Sequence, residues 1–140
     1  MSTIGHHVTT TRALYLLGAL PAVLLALADR ARALDCSNPI TTADMVTCAS
    51  RDFDEADKAL NASYTSAMAL MRKRAPDLPK AADRLRDAQR AWLAYRDANC
   101  GWAAGAVDGG SMEPLVSLGC KTTMTRARTA ELKDVAKTYE

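Results

Sequence analysis

The sequence is poor in histidine and in aromatic residues. Only two histidines occur, His6 and His7, and aromatic residues make up 5% of the 140 positions. Because both histidines precede the cleavage point predicted below, the exported chain contains no imidazole, which excludes Ser-His-Asp and Cys-His catalysis. The same absence removes a common nitrogen ligand of zinc.

Glycine is also too scattered to form a phosphate-binding loop. Gly109-Gly110 is an isolated pair and indicates a turn. Carboxylates are plentiful, but a pair of the kind that glycosidases use needs a cleft, which a single layer of short helices rarely encloses. We therefore predict a protein that is not an enzyme and that has no cofactor and no metal site.

The first 33 residues have the pattern of a secretory signal peptide. Arg12 precedes an uncharged apolar stretch, Ala13 to Ala28, which is shorter than the roughly 20 residues of a membrane-spanning helix. Ala31-Arg32-Ala33 fits a cleavage site, so the predicted mature chain begins at Leu34. An uncleaved signal anchor is the alternative. Cleavage would give a periplasmic or secreted protein without a membrane span.

All four cysteines follow this cleavage point. An even number of cysteines in an oxidising compartment indicates disulfide bonds, and four cysteines allow three connectivities. We favour Cys36 with Cys48 and Cys100 with Cys120, because each pairing closes a short local loop. A zinc site is the rival interpretation, but these spacings match no zinc ribbon or finger.

Apolar periodicity predicts an all-α fold. Apolar residues recur at steps of three and four from Asp52 to about Ala75, which predicts a long helix with Asp52 and Glu55 as a capping-box-like pair. A shorter helix, from Thr41 to about Ala49, precedes it. The segment Pro76 to Pro79 ends the long helix and starts the next.

The second long helix has the most regular apolar pattern, and Asp77 is its predicted cap. Its apolar seam should lie along the helix before it, which gives an antiparallel hairpin. The seam comprises Leu78, Ala81, Leu85, Ala88, Trp92, Tyr95, Asn99 and Trp102.

The rest of the chain completes one small domain, residues 34–140. We predict a helical turn from Ser111 to about Leu118 and a last helix capped by Thr122 or Thr123. The predicted fold is a small disulfide-stapled helical bundle built on the long hairpin, in which the bridges compensate for a small core. The last helix should bury one face, formed by Met124, Leu132, Val135 and Tyr139.

Acidic and basic residues balance after residue 33 but are unevenly distributed. Asp52, Asp54 and Glu55 start the first long helix, where they either attract a basic partner or only complement the helix dipole. The near-neutral total and the lack of stacking aromatics argue against nucleic acid as a partner.

Motifs along most of the mature chain resemble the LprI-type lysozyme inhibitor family. The residues run Ala56-Asp57-x-x-Leu60-Asn61-x-x-Tyr64, then Ala88-Gln89-Arg90-Ala91-Trp92-Leu93-x-Tyr95-Arg96-Asp97-x-x-Cys100, then Gly109-Gly110-Ser111, Cys120 and Thr125-x-x-Arg128-x-x-x-Leu132. The chain departs from the lipoprotein members of that family, because Asp35 occupies a position before Cys36 where lipid attachment needs a small residue.

The resemblance implies an exported protein that binds lysozyme and blocks peptidoglycan hydrolysis. A structural or interaction module of the envelope with another partner is the alternative, and the oligomeric state stays open. We expect Arg96 and Asp97 to tie neighbouring helices, Arg128 to pair with an acid, and Asn61 to bond to another element. The signature positions with expected structural roles are Asp57, Asn61, Tyr64, Gln89, Trp92, Arg96 and Arg128.

Two surfaces are candidates for binding the partner. The first is the glycine-rich segment Gly105 to Glu113, which offers Asp108, Ser111 and Glu113 inside the predicted Cys100–Cys120 loop. Its alternative role is a connector whose glycines form turns and whose Ser111 caps the next helical turn. The second surface is the acidic group Asp52, Asp54 and Glu55.

Overall fold

A computed structural model describes residues 34–139, so the predicted signal peptide, residues 1–33, lies outside the described residues. The described chain is helical, with no β-strand between residues 34 and 139, which confirms the all-α prediction. The elements are α1 (Thr42–Lys73), α2 (Ala81–Ala104), a 3₁₀ turn (Gly105–Val107) and α3 (Glu113–Tyr139). Over this range, the helices are too short or too polar to cross a membrane.

Helix α1 is one element where we predicted two. Thr41 is its N-cap: the Thr41 hydroxyl accepts a hydrogen bond from the Asp44 backbone N–H at 3.1 Å, and the Asp44 carboxylate accepts one from the Thr41 N–H at 3.2 Å. Asp52 therefore lies inside the helix, and the prediction that it is a cap is wrong. The reason is that the residues between Ala49 and Asp52 include no proline or glycine to interrupt the backbone hydrogen bonds.

Helix α2 begins later than predicted and turns a different face inward. It starts at Ala81, after Lys80, so the prediction that Asp77 caps it is wrong. Four members of the predicted apolar seam, Leu78, Ala88, Tyr95 and Trp102, are exposed. The buried residues of α2 include two polar side chains that find partners on other helices, which a count of apolar residues misses; they are Gln89, Arg96, Cys100 and Ala104.

Helix α3 is also continuous where we predicted a helical turn and a separate helix. Thr122 is buried in its middle instead of capping a new helix. Gly119 lies within the helix, beside the bridged Cys120, at a cost of about 1 kcal/mol relative to alanine. Of the predicted buried face, Leu132 is buried, whereas Val135 and Tyr139 are exposed.

The three helices form an up-down-up bundle. Helices α1 and α3 run parallel, because Asp52 in the first half of α1 meets Arg126 in the middle of α3, and the Arg74 guanidinium donates to the Tyr139 carbonyl oxygen at the ends of both helices. Helix α2 is antiparallel to both, as the predicted hairpin requires. The core cluster consists of Leu60, Ala67 and Leu132, with Tyr64, Leu85 and Trp92 packed against it.

Two disulfide bonds join the pairs that we predicted. Cys36 bonds to Cys48 and Cys100 to Cys120, each with 5.5 Å between the Cα atoms. The first ties the N-terminal segment to α1, and the second ties the end of α2 to α3. In the chain-entropy model, loops of this length contribute roughly 3 kcal/mol each to stability.

Candidate functional site

The guanidinium of Arg96 joins all three helices. Its side chain, on α2, is 8% exposed and lies 3.7 Å from the Asp57 carboxylate on α1. It donates to the Thr125 hydroxyl on α3 at 3.2 Å and pairs with Asp97 at 3.0 Å. The ring of Phe53 lies 5.2 Å from the guanidinium carbon. These contacts confirm the prediction that Arg96 ties neighbouring helices.

Two arginines lie close to the ring of Trp92. The guanidinium carbons of Arg96 and Arg128 are 5.3 and 6.0 Å from the Trp92 ring centroid. Arg128, on α3, donates from Nε to the Gln89 amide oxygen at 3.1 Å and pairs with Glu131 at 2.8 Å. The contact between α2 and α3 here is thus formed by Gln89, Trp92 and Arg128. The acid with which Arg128 pairs, Glu131, lies on the same helix as Arg128.

Asn61 does not reach another helix. Its side-chain amide donates to the Asp57 carboxylate at 2.9 Å, one turn earlier on α1, so the prediction of a bond to another element is wrong. The reason is that an i, i+4 pair on one helix face already satisfies the amide. Since Asp57 also faces Arg96, Asn61 orients the carboxylate that meets the buried guanidinium.

Hydrogen bonds between its own residues fix the conformation of the glycine-rich segment, Gly105 to Glu113. Gly109 has a φ of 70°, a left-handed conformation that favours glycine, and its N–H donates to the Glu113 carboxylate at 3.0 Å. The Gly110 N–H donates to the Val107 carbonyl at 2.9 Å. Glu113 therefore holds the segment together, whereas Asp108 and Ser111 are exposed on it.

The acidic candidates on α1 are exposed but differ in their contacts. Asp52 lies 3.7 Å from Arg126 on α3, and both side chains are about 60% exposed, so this ion pair adds little stability. Glu55 lies at the rim of a shallow groove between α1 and α3 that Arg126 and Lys133 also line. Asp54 is exposed.

The bundle is electrically polarised along its axis. We call residues 34–58 and 95–126 the disulfide end, because both bridges lie there, and the remaining described residues the opposite end. The disulfide end has nine acidic residues (Asp35, Asp44, Asp52, Asp54, Glu55, Asp57, Asp97, Asp108 and Glu113) and five basic ones (Arg51, Lys58, Arg96, Lys121 and Arg126). In the opposite end the balance is reversed, with ten basic and five acidic residues.

Among the described residues, the pKa values of Asp35 and Arg86 are shifted. The hydroxyl and backbone N–H of Ser37 donate to Asp35 at 2.7 and 2.9 Å, and these bonds lower the pKa of the Asp35 carboxyl. A hydrogen bond to Asp83, reinforced by Asp87, raises the pKa of Arg86. Both shifts favour the charged form at neutral pH. Between residues 34 and 139 no group of three or more His, Cys, Asp or Glu side chains is placed to hold a metal ion.

The profile of the family described as lysozyme inhibitor LprI matches residues 35–132. The chain belongs to the LprI lysozyme inhibitor family. A protein of Rhizobium meliloti (strain 1021), described as uncharacterized, is 38% identical over 113 residues, which cover 76% of this chain and 81% of the relative. No solved structure gives a significant match.

The motifs on which the LprI resemblance depends are largely packing motifs. Gln89, Arg96 and Cys100 are buried, and Tyr64 and Trp92 pack against the core. Two large rings on α2 are instead exposed: Tyr95, which belongs to the same motif, and Trp102, just beyond it, are 60% and 81% exposed. The apolar pattern assigned both to the core, so sequence reasoning missed them as surface residues. No signal in the sequence separates them from Trp92, which packs against the core, since all three rings fall on the same apolar seam.

Proposed function

We propose that this protein is exported and binds lysozyme, and that binding blocks the hydrolysis of peptidoglycan. The observation that carries the proposal is the family match, which covers the described bundle from the first disulfide to Leu132. Two disulfide bonds suit an oxidising compartment such as the periplasm or the exterior.

The polarised charge supports an encounter with a basic enzyme. An acidic surface raises the association rate with a basic lysozyme more than it raises affinity. Asp54 and Asp108 are the carboxylates best suited to this task, since both are exposed at the disulfide end. Glu113 has a positioning role instead, because its carboxylate holds Gly109.

The test of the proposed function is a titration of the purified exported protein against c-type and g-type lysozymes, with clearing of cell walls as the readout. We expect inhibition of at least one class at micromolar concentration. No inhibition of either class at that concentration would contradict the proposal and favour an envelope module with another partner.

Charge substitutions test the steering step separately. The first variant combines Asp54→Asn and Asp108→Asn. Its association rate with lysozyme should fall several-fold at low salt. At high salt the rate should approach that of the unmodified protein, because salt screens exposed charges. Asp77→Asn with Asp134→Asn removes two exposed acids at the opposite end and is the matched control. Equal rates for all three proteins at low salt would remove these acids from the encounter.

Export itself has a direct readout in the mass of the protein. We propose cleavage after Ala33, so the exported chain should have the mass of residues 34–140. A mass that includes residues 1–33 would instead indicate an uncleaved signal anchor.

A further inference from the structure

Tyr95 and Trp102 form an exposed aromatic pair on α2. Their exposed fractions, 60% and 81%, are unusual for large rings in a chain whose core is short of aromatic residues. Seven residues separate them, which places them on the same side of the helix about 10.5 Å apart along its axis. Tyrosine and tryptophan in such positions are the commonest anchors of protein interfaces.

The residues of α2 around this pair are mostly small and uncharged. The other exposed residues from position 91 to 106 are alanines and glycines, except Asp97, whose carboxylate is engaged by Arg96 and Lys121. The two rings therefore project above their neighbours as a ridge. We call this surface the α2 ridge; it consists of Ala91, Ala94, Tyr95, Ala98, Gly101, Trp102 and Gly105.

The α2 ridge is held rigidly. Cys100, two residues before Trp102, is fully buried and bonded to Cys120, which fixes the end of α2 on α3. The Arg96 contacts fix the helix one residue after Tyr95. A rigid aromatic surface loses little conformational entropy when it binds, so it suits a role as an anchor.

The α2 ridge and the acidic surface suit different parts of a lysozyme. A lysozyme cleft accepts uncharged sugar rings and carries two carboxyl groups at the scissile bond. Carboxylates of an inhibitor would be repelled by these carboxyl groups. An uncharged ridge of aromatic rings avoids this repulsion. The acidic residues of the disulfide end are suited to basic surface outside the cleft.

We infer that the α2 ridge enters the sugar-binding cleft of lysozyme, with Trp102 as the main anchor and Tyr95 as the second. This inference rests on the proposed function. It assigns the blocking contact to a helix surface, whereas Asp108 in the following segment contributes only to the encounter.

Substitution of the anchors tests the inference. Trp102→Ala should raise the inhibition constant at least about 30-fold, as expected for an interface anchor, and Tyr95→Ala should raise it less. Ile40→Ala removes another highly exposed apolar side chain and should leave inhibition unchanged. All three variants should keep the melting temperature of the unmodified protein, because each changes an exposed residue.

Competition gives a second readout that does not depend on variants. A soluble N-acetylglucosamine trisaccharide that fills the cleft should weaken binding of the protein to lysozyme in proportion to its occupancy. If the unmodified protein inhibits but Trp102→Ala inhibits equally well, or if trisaccharide and protein bind together, the inference is overturned and the proposed function stands. If the unmodified protein neither binds nor inhibits any lysozyme, both are overturned.

Discussion

The two tryptophans lie ten residues apart on α2 and have opposite surroundings. Trp92 packs against the core cluster, and the guanidinium groups of Arg96 and Arg128 lie close to its ring. Trp102 is 81% exposed among small, uncharged residues. One helix therefore carries two different surfaces: an inner face that holds the bundle together and an outer ridge that is open to a partner.

The largest expected difference between the two faces is in stability. Trp92→Ala should lower the free energy of unfolding by about 3 kcal/mol, because it removes a large ring from the core and from two arginines. Trp102→Ala should change it by less than about 0.5 kcal/mol, as for other exposed positions. Urea denaturation of both variants measures the difference, and equal losses would contradict the separation of the faces.

Arg96 offers a narrower test of the inner face. Arg96→Met keeps much of the side-chain volume but removes the bonds to Asp57, Asp97 and Thr125, so we expect a loss of about 2 kcal/mol. The carboxylates that remain are partly exposed and can be hydrated, which limits the loss. Arg90→Met changes an exposed arginine on the same helix and should have almost no effect. If Arg90→Met lowered the free energy of unfolding as much as Arg96→Met does, the loss of a positive charge, and not the loss of the buried contacts, would explain both results.

The smallest effect that we predict concerns the contact between Gln89 and Arg128. Gln89→Leu should cost about 1 kcal/mol, since it removes one hydrogen bond while Arg128 keeps Glu131. A double-mutant cycle with Arg128→Leu, followed by urea denaturation, isolates the coupling between the two side chains. A coupling energy near zero would mean that this contact does not help to hold α2 against α3.

The helical fold and the disulfide pairing were predictable because their determinants are local. Apolar residues at helical spacing and cysteines close in sequence require no knowledge of tertiary contacts. The predicted breaks at Asp52 and Thr122 were wrong, because a residue that is able to cap a helix does not end one without proline or glycine beside it.

The inner face of α2 was harder to predict because it is partly polar. Arg96 and Gln89 are buried only because Thr125, Asp57 and Arg128 meet them across the bundle. The apolar pattern alone therefore placed Tyr95 and Trp102 inward. Of the candidate binding residues, Glu113 turned out to hold its own loop, a contact that spacing alone did not indicate.

The most direct test of the separation between the two faces measures unfolding and lysozyme inhibition on the same Trp102→Ala sample. We expect the free energy of unfolding to lie within about 0.5 kcal/mol of that of the unmodified protein, as for exposed sites. We also expect inhibition to be weakened at least about 30-fold, as for the loss of an interface anchor. Undiminished inhibition by a stable variant, or unfolding as strongly affected as in Trp92→Ala, would contradict the separation of the two faces.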